Sequence, residues 1–392
     1  MSEWKKVKLK DCCIKIGSGS TPKGGSMVYV NSGTSLIRSQ NVYNLSFDYN
    51  GLTHITEDAA NKLKGVTVFN EDILLNITGD SVARTCIVPK EVLPARVNQH
   101  VAIIRTDRKK MNWRFLNYYL ASPKMQAHML SLAVGKGASR NALTKQMIEN
   151  FEVPYPPLST QHRIANILSR YDSLIENYQK QIRLLEEAAQ RLYKEWFIDL
   201  HFPGHENTNI IDGVPEGWEM KKVGEIAIIS AGGDKPDVVT EEQTTECQVP
   251  IYSNGTTKEG LYGYTNKSSN TAGSITVSAR GSIGFACLRM HDYFSIVRLI
   301  SIKPQNNVDL MYLFQFTKVH TFMSNGAAQQ QLTVPMVKAI DVVYPAESLL
   351  EAFENVVLPL YKKVQSLQSQ LRLLTEARDR LLPKLMSGEI TV

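Results

Sequence analysis

The sequence predicts an α+β fold: two mostly-β globular domains in tandem repeat, separated by two long helices that pack together as a coiled coil. Three observations predict it. Residues 158–197 carry an unbroken helical seam, a second seam follows 189 residues downstream in the same register, and the segments preceding the two seams echo each other.

The first seam runs through Ile164, Leu168, Tyr171, Ile175, Tyr178, Ile182, Leu185, Ala189, Leu192 and Trp196. Steps of four and three alternate along it, which keeps every member on one side of a helix and is the a/d pattern of a coiled coil. Neither Pro nor Gly interrupts it, and Ser159, just after Pro156-Pro157-Leu158, offers an N-cap. Such a helix reaches roughly 55–60 Å at 1.5 Å per residue. One seam needs another to bury it. Adding 189 to each position yields Phe353, Val357, Leu360, Val364, Leu367, Leu371, Leu374, Arg378, Leu381 and Leu385, nine of the ten apolar. The surroundings match as well, since LLEEAAQRL (184–192) answers LLTEARDRL (373–381). Ser348 with Glu351 reads as a capping box. Pro359 is expected to kink the second helix or delay its regular start.

A chain of 392 residues has room for two or three domains with their own cores. Hydrophobic content of 43% with 21% charged residues describes a globular protein, not a disordered one. No secretory signal is legible, and no apolar run approaches the length that spans a bilayer. The five cysteines (Cys12, Cys13, Cys86, Cys247, Cys287) form no CxxC pair and read as reduced thiols of a cytoplasmic protein. The net charge of +6 is unevenly spread: residues 1–157 hold 21 Lys/Arg against 12 Asp/Glu, and residues 201–346 hold 11 against 14. Residues 158–200 and 347–392 balance at six each. A basic first segment suits a polyanionic partner.

The repeat extends into the globular segments. Trp4 answers Trp218, each followed by basic residues, an apolar stretch and a Gly-containing turn. ILLNITGDSVARTCIV (73–88) answers SITVSARGSIGFACLR (274–289), and HVAIIRT (100–106) answers RLISIKP (298–304), both alternating as half-buried strands do. GASRNALTKQM (137–147) answers GAAQQQLTVPM (326–336), and FEVPYPP (151–157) answers IDVVYPA (340–346). The offset falls from 214 to 189, so the second copy is about 25 residues shorter, a loss that loops tolerate. Small helices are expected over Trp113–Ser122 and Asp309–Val319. The expected segments are therefore 1–157, a first globular domain; 158–200, the first long helix; 201–346, a second globular domain; and 347–392, the second long helix and tail.

PYPPLSTQHRIANIL (154–168), the seam itself, LYKEWFIDLHFPG (192–204), VPEGWEMKKVGEIA (214–227) and RLLPKLMSGEI (380–390) together resemble the specificity subunit of type I restriction–modification systems. The resemblance covers essentially the whole chain. It implies two target-recognition domains held apart by an antiparallel helix pair, each domain reading one half of a bipartite double-stranded DNA target while the helices set the spacer. It further implies two methyltransferase subunits and two motor-nuclease restriction subunits as partners, and no membrane. S-adenosylmethionine, ATP and magnesium would belong to those subunits, with no cofactor in this chain. The internal repeat suits identical partners, because two similar half-units offer two similar docking surfaces.

The residues themselves carry no legible active site. There is no glycine-rich cofactor loop with an Asn/Asp-Pro-Pro-aromatic tetrapeptide, and no GxxxxGK[ST]. Asp212 with Glu219-Met220-Lys221 only imitates a nuclease metal site. His201 and His205 are four apart, but Pro203 and Gly204 forbid the helix that would align them.

Reading DNA requires donors and acceptors on loops, because phosphate contacts position and base edges specify. In the first domain the candidates are Ser18, Ser20, Thr21, Lys23, Arg38, Gln40, Asn41, Thr78, Asp80, Ser81, Arg84, Ser139, Arg140 and Asn141, with Asn98-Gln99-His100 as a further polar cluster. In the second they are Lys235, Tyr252, Ser253, Asn254, Tyr262, Tyr264, Ser278, Arg280, Ser282, Gln329, Gln330 and Gln331. The arginines and the glutamine triplet lead, since Arg and Gln bond guanine and adenine in bidentate fashion. Two other classes stay open: an interaction scaffold with no DNA specificity, and a nucleic-acid enzyme with an unrecognised site.

Overall fold

The computed structural model describes residues 4–134, 141–322 and 331–392. The chain forms two compact units whose borders run through the long helices: Met1–Tyr178 with Gln370–Val392, and Gln179–Ser369. The four segments expected from the sequence describe chain order, whereas the compact units divide each helix between them.

In the first unit, β1 (Cys13–Ser18), β2 (Ile73–Asn76), β3 (Thr85–Ile87) and β4 (Val101–Thr106) form one antiparallel sheet in the order β3-β2-β4-β1. Period-two alternation sends Ile73, Leu75, Ala102 and Ile104 to one face, where they meet Phe115 and Leu116 of α1 (Trp113–Ala121) and Ile164 and Leu168 of α2 (Leu158–Tyr193). Leu74, Val101 and Ile103 point the other way, onto Ile37, Val42 and Val97. Ile37 and Val97 belong to a second sheet of five short strands, in which Ala95–Val97 runs parallel to Thr34–Ile37. Residues 101–104 are thus buried on both faces. The expected half-buried strand is a central one.

The second unit repeats this plan. β5 (Ala227–Ala231), β6 (Ser274–Val277), β7 (Ala286–Arg289) and β8 (Ile300–Pro304) pair in the order β5-β8-β6-β7, the same topology. α3 (Leu310–Val319) stands where α1 stands in the first unit, and the chain ends on α4 (Glu347–Ser387). The first face packs Ile229, Ile275, Val277, Ile300 and Ile302 on α3 and the long helices. The opposite face is polar: Tyr293 bonds Ser274 and Ser301 at 3.0 Å each, and the buried Arg289 donates to Thr276 at 3.0 Å. The smaller sheet has three strands here against five in the first unit, which is where much of the shortening falls.

Within each unit the long helices run antiparallel. In the first, Ile164 and Leu168 share a core with Leu385 and Leu382, and four residues beyond Leu168 Asp172 meets Arg378 at 2.9 Å. In the second, Tyr193 and Phe197 pack on Phe353, with ring centroids 6.3 and 4.9 Å apart. Every seam position is buried or half-buried. Arg378, the polar exception, also bonds Asp379, while Asp172 accepts a second hydrogen bond from Tyr118. Burial opposes the Arg378 charge, but the Asp172 carboxylate outweighs it and holds the guanidinium above its usual value.

Both long helices start where expected, but the expected caps do not hold. Helix α2 begins at Leu158, so Ser159 lies within its first turn, and the start is fixed by the buried Gln161 amide bonded to Asn112 N (2.8 Å) and Pro156 O (3.0 Å). After Tyr193 it continues as a π-helical turn, Lys194–Ile198. Helix α4 begins at Glu347, one residue before the proposed Ser348 cap, and Pro359 does not delay it. Phe353, Val357, Tyr361 and Val364 are buried around that proline, and their packing outweighs the lost backbone bond. Among the described residues no helix is long and apolar enough to cross a membrane.

Glu354 of α4 caps α3 by accepting from Met311 N at 2.9 Å. Burial pushes its carboxyl up to about 7, against the Met311 N–H that pulls it down. The folded state therefore keeps a proton that the unfolded chain releases between about pH 4.5 and 7, and stability declines as pH rises through that window. Glu354→Gln should flatten the decline, removing about 1–3 kcal/mol of pH dependence. Urea melts at pH 5 and 7.5 measure this, and an unchanged slope would contradict it.

Candidate nucleic-acid interface

The strand register places most of the candidate residues at one end of each large sheet. In the first unit Ser18 lies opposite Ala102, Asn76 opposite Val101, and Thr85 opposite Leu75. The loops leaving that end carry Ser18, Ser20, Thr21 and Lys23 after β1, Thr78, Asp80, Ser81 and Arg84 between β2 and β3, and Asn98-Gln99-His100 before β4. Asn141 joins them through its carbonyl, which accepts from Gly79 N at 3.1 Å. Arg38, Gln40 and Asn41 leave the same end of the smaller sheet, since Ile37 pairs with Val97.

These side chains differ in what remains free. Ser20, Thr21, Lys23, Gln40 and Asp80 are exposed. Arg84 lies over the Tyr43 ring, 4.6 Å from its centroid. Arg38 donates to Gly51 O at 2.7 Å through one terminal nitrogen, and its buried Nε has no protein partner. Asn41 is fully enclosed, and its amide bonds Arg38 N and the carbonyls of Asp48 and Asn50, so it shapes the loop. Thr78 bonds His100 Nδ1 at 2.6 Å, and Gln99 bonds His100 Nε2 at 3.1 Å. Ser139 and Arg140 lie outside the described residues.

In the second unit Ala231 and Val277 both lie opposite Ile300, and Val277 opposite Ala286, so the loops after β5 and β6 and before β7 and β8 again leave one end. They line an open groove of about 760 Å³ that gathers Lys235, Tyr262 and Arg280 around Val297 and Arg298, with Asp234 beside them. Arg280 donates to Gln331 Oε1 at 2.8 Å. Asn254 ties two of the loops together, donating to Val297 O and accepting from Ala279 N, each at 2.7 Å. Ser282 is exposed and Ser253 and Tyr264 are half-buried, whereas Gln329 and Gln330 lie outside the described residues.

Two candidates of the second unit are interior residues. Tyr252 is 8% exposed, bonds His291 at 3.0 Å, and carries the Arg289 guanidinium 3.6 Å above its ring. Burial pushes its hydroxyl up and the His291 imidazole down. Ser278 is 1% exposed, with a hydroxyl that meets no protein partner.

Sequence reasoning passed over Arg298 in its candidate set, although the repeat aligns it with His100. The turn that carries it is closed by the same two backbone hydrogen bonds in both units. Asn98 N bonds Ile37 O and Val101 N bonds Asn98 O; Ile296 N bonds Tyr252 O and Leu299 N bonds Ile296 O. The preceding strand approaches so closely that a β-carbon on Gly19 would lie 2.0 Å from Val97 O, and one on Gly232 would lie 2.6 Å from the Ser295 carbonyl carbon. Only glycine fits either place.

The residues that imitated catalytic sites are engaged otherwise. Lys221 pairs with Glu219 at 3.0 Å and lies over the Tyr344 ring, within a strand paired to Asp341–Tyr344. No cluster of three or more metal-ligating side chains occurs among the described residues.

Asn254→Ala should cost about 1–3 kcal/mol, because it strands Ala279 N and Val297 O, whereas Ser278→Ala should be neutral or slightly stabilising, because it deletes an unpaired hydroxyl. Denaturant titration compares the two, and a costly Ser278→Ala would show that its hydroxyl has a partner.

The sequence profile of the type I restriction modification DNA specificity domain matches residues 1–187 and 215–348. A type I restriction enzyme MjaIX specificity subunit from Methanocaldococcus jannaschii is 26% identical over all of this chain and 94% of its own length. The HindI specificity subunit of Haemophilus influenzae is 20% identical with full coverage of both. A crystal structure of a type I restriction–modification S subunit from M. genitalium shares the fold, with a TM-score of 0.66 at 18% identity over 97% of this chain and 96% of that one.

Proposed function

The chain belongs to the type I restriction-modification DNA specificity family, and from that premise we propose that each of its units reads one half of a bipartite duplex target through the loop end of its sheets. As a specificity subunit it recognises DNA targets and leaves catalysis to partner subunits. The observation that carries the finer reading is the gathering of loops at the same end of both repeated sheets, with Lys235, Arg280 and Arg298 around one groove in the second. A groove with three cations suits a polyanionic duplex, and Tyr262, 50% exposed, adds a face for sugar or base contact.

In this reading the cations divide the work. Lys23 and Lys235 hold phosphates, while Arg38, Arg84, Arg140 and Arg280, with Gln329, Gln330 and Gln331, face base edges. The helix pair sets the number of unread base pairs between half-sites. Two methyltransferase subunits dock on the two repeats, two restriction subunits complete the cytoplasmic complex, and S-adenosylmethionine, ATP and magnesium bind to those partners.

Gel-shift titrations of the chain with its methyltransferase partner, over a salt series, test the reading. Each lost phosphate contact should lower the slope of log affinity against log salt by about 0.9. Lys23→Ala and Lys235→Ala should therefore weaken binding to all sequences alike and each reduce the slope by about that amount. Basic residues outnumber acidic ones only in residues 1–157 of the two globular segments, so multiple Lys/Arg removals there should flatten the slope more than equal removals in 201–346. Equal slopes would assign the electrostatics to the partner subunits. Binding with no sequence preference would favour a scaffold.

A further inference from the structure

We infer that the turn before the last large-sheet strand, Gln99-His100 in the first unit and Val297-Arg298 in the second, is the element that fixes base preference in each half-site. The inference rests on the reading above and adds to it the residues that discriminate.

Equivalent construction is the first observation. The two turns are closed by the same pair of backbone hydrogen bonds and approached by a glycine that admits no side chain. The same closure therefore presents residues that differ in backbone conformation, left-handed only at Val297 and Arg298, and completely in chemistry: an amide and an imidazole in one, a branched hydrocarbon and a guanidinium in the other. A shared frame that varies in what it displays is what two different half-sites require.

Strain is the second observation. Val297 and Arg298 have φ of 54° and 61°, a conformation that L side chains rarely adopt and that is least favourable for a β-branched residue. Two such residues in succession persist only where their surroundings over-determine them. The surroundings do: Val297 N and Arg298 N bond the Gly233 and Gly232 carbonyls at 2.9 and 2.8 Å, and Asn254 holds Val297 O at 2.7 Å. The product is an exposed tip. Val297 is 50% exposed although it is apolar, and Arg298 is exposed beside it at the mouth of the cationic groove. Packing does not explain an uncovered valine in a strained turn.

The chemistry assigns partners. The Arg298 fork matches guanine O6 and N7, and the Val297 methyls match the C5-methyl of a neighbouring thymine. In the first unit the Gln99 amide, steadied by its bond to His100, which Thr78 holds in turn, matches adenine N6 and N7.

The test selects duplexes from a randomised bipartite library with the chain bound to its methyltransferase partner, comparing wild type with Arg298→Gln, Arg298→Ala and Gln99→Ala. Arg298→Gln should move one position of a single half-site from guanine toward adenine. Arg298→Ala should erase roughly tenfold to a hundredfold of discrimination at that position and leave the salt slope unchanged. Gln99→Ala should act on the other half-site alone. Wild-type motifs from all three variants would overturn the inference while leaving the reading of two half-sites intact. So would a uniform loss of affinity with a flatter salt slope, which marks a phosphate contact. Failure of the wild type to select any motif would instead overturn the reading itself, and melting curves of each variant separate misfolding from altered recognition.

Discussion

The structure depends on the mutual burial of two helix seams. Each unit is closed by the start of one helix and the end of the other. The first unit closes Ile164 and Leu168 against Leu382 and Leu385, and the second closes Tyr193 and Phe197 against Phe353. The antiparallel order is what allows a chain of two sequential repeats to give both units the same construction. It also makes the first unit depend on the last residues of the chain, since Gly388 lies against Trp4 as Phe197 and Phe202 lie against Trp218.

Repetition is not complete, and the departures have a physical logic. Asp172 and Arg378 are joined at 2.9 Å in one unit, while the positions 189 residues away, Tyr361 and Ala189, are an aromatic ring and a methyl, both buried. A half-buried ion pair adds little net stability, but it penalises any pairing that separates its members. The core beyond the large sheet diverges as well: aliphatic in the first unit, a network of Ser, Thr, Tyr and Arg in the second.

Much of this was legible. Seam positions follow from a spacing of three and four, and a register shared over ten positions survives divergence because each depends on burial. α1 and α3 were legible for the same reason. The central character of residues 101–104 was not, because alternation of large and small residues looks the same whether one face is covered or two. The long helices start at the expected Leu158 and Glu347, but Ser159 and Ser348 lie inside them; at the first, the Gln161 amide reaches the start of α1 through space, which spacing does not reveal. Charge and loop composition put forward Lys235, Tyr262 and Arg280, which line one groove. They also put forward Asn41, Tyr252 and Ser278, which the fold encloses, and omitted Arg298, whose exposure follows from a backbone conformation that residue type disfavours.

We propose a division of labour in which paired helices set distance and sheet-end loops set sequence. Inserting four residues into α2 between Gln181 and Arg191, with the matching insertion in α4 to keep the seams in phase, lengthens each helix by roughly 6 Å. Duplex DNA rises about 3.4 Å per base pair. Methylation mapping in cells carrying this variant should return both half-sites unchanged, separated by one or two more base pairs. Altered half-site bases at unchanged spacing would contradict the account.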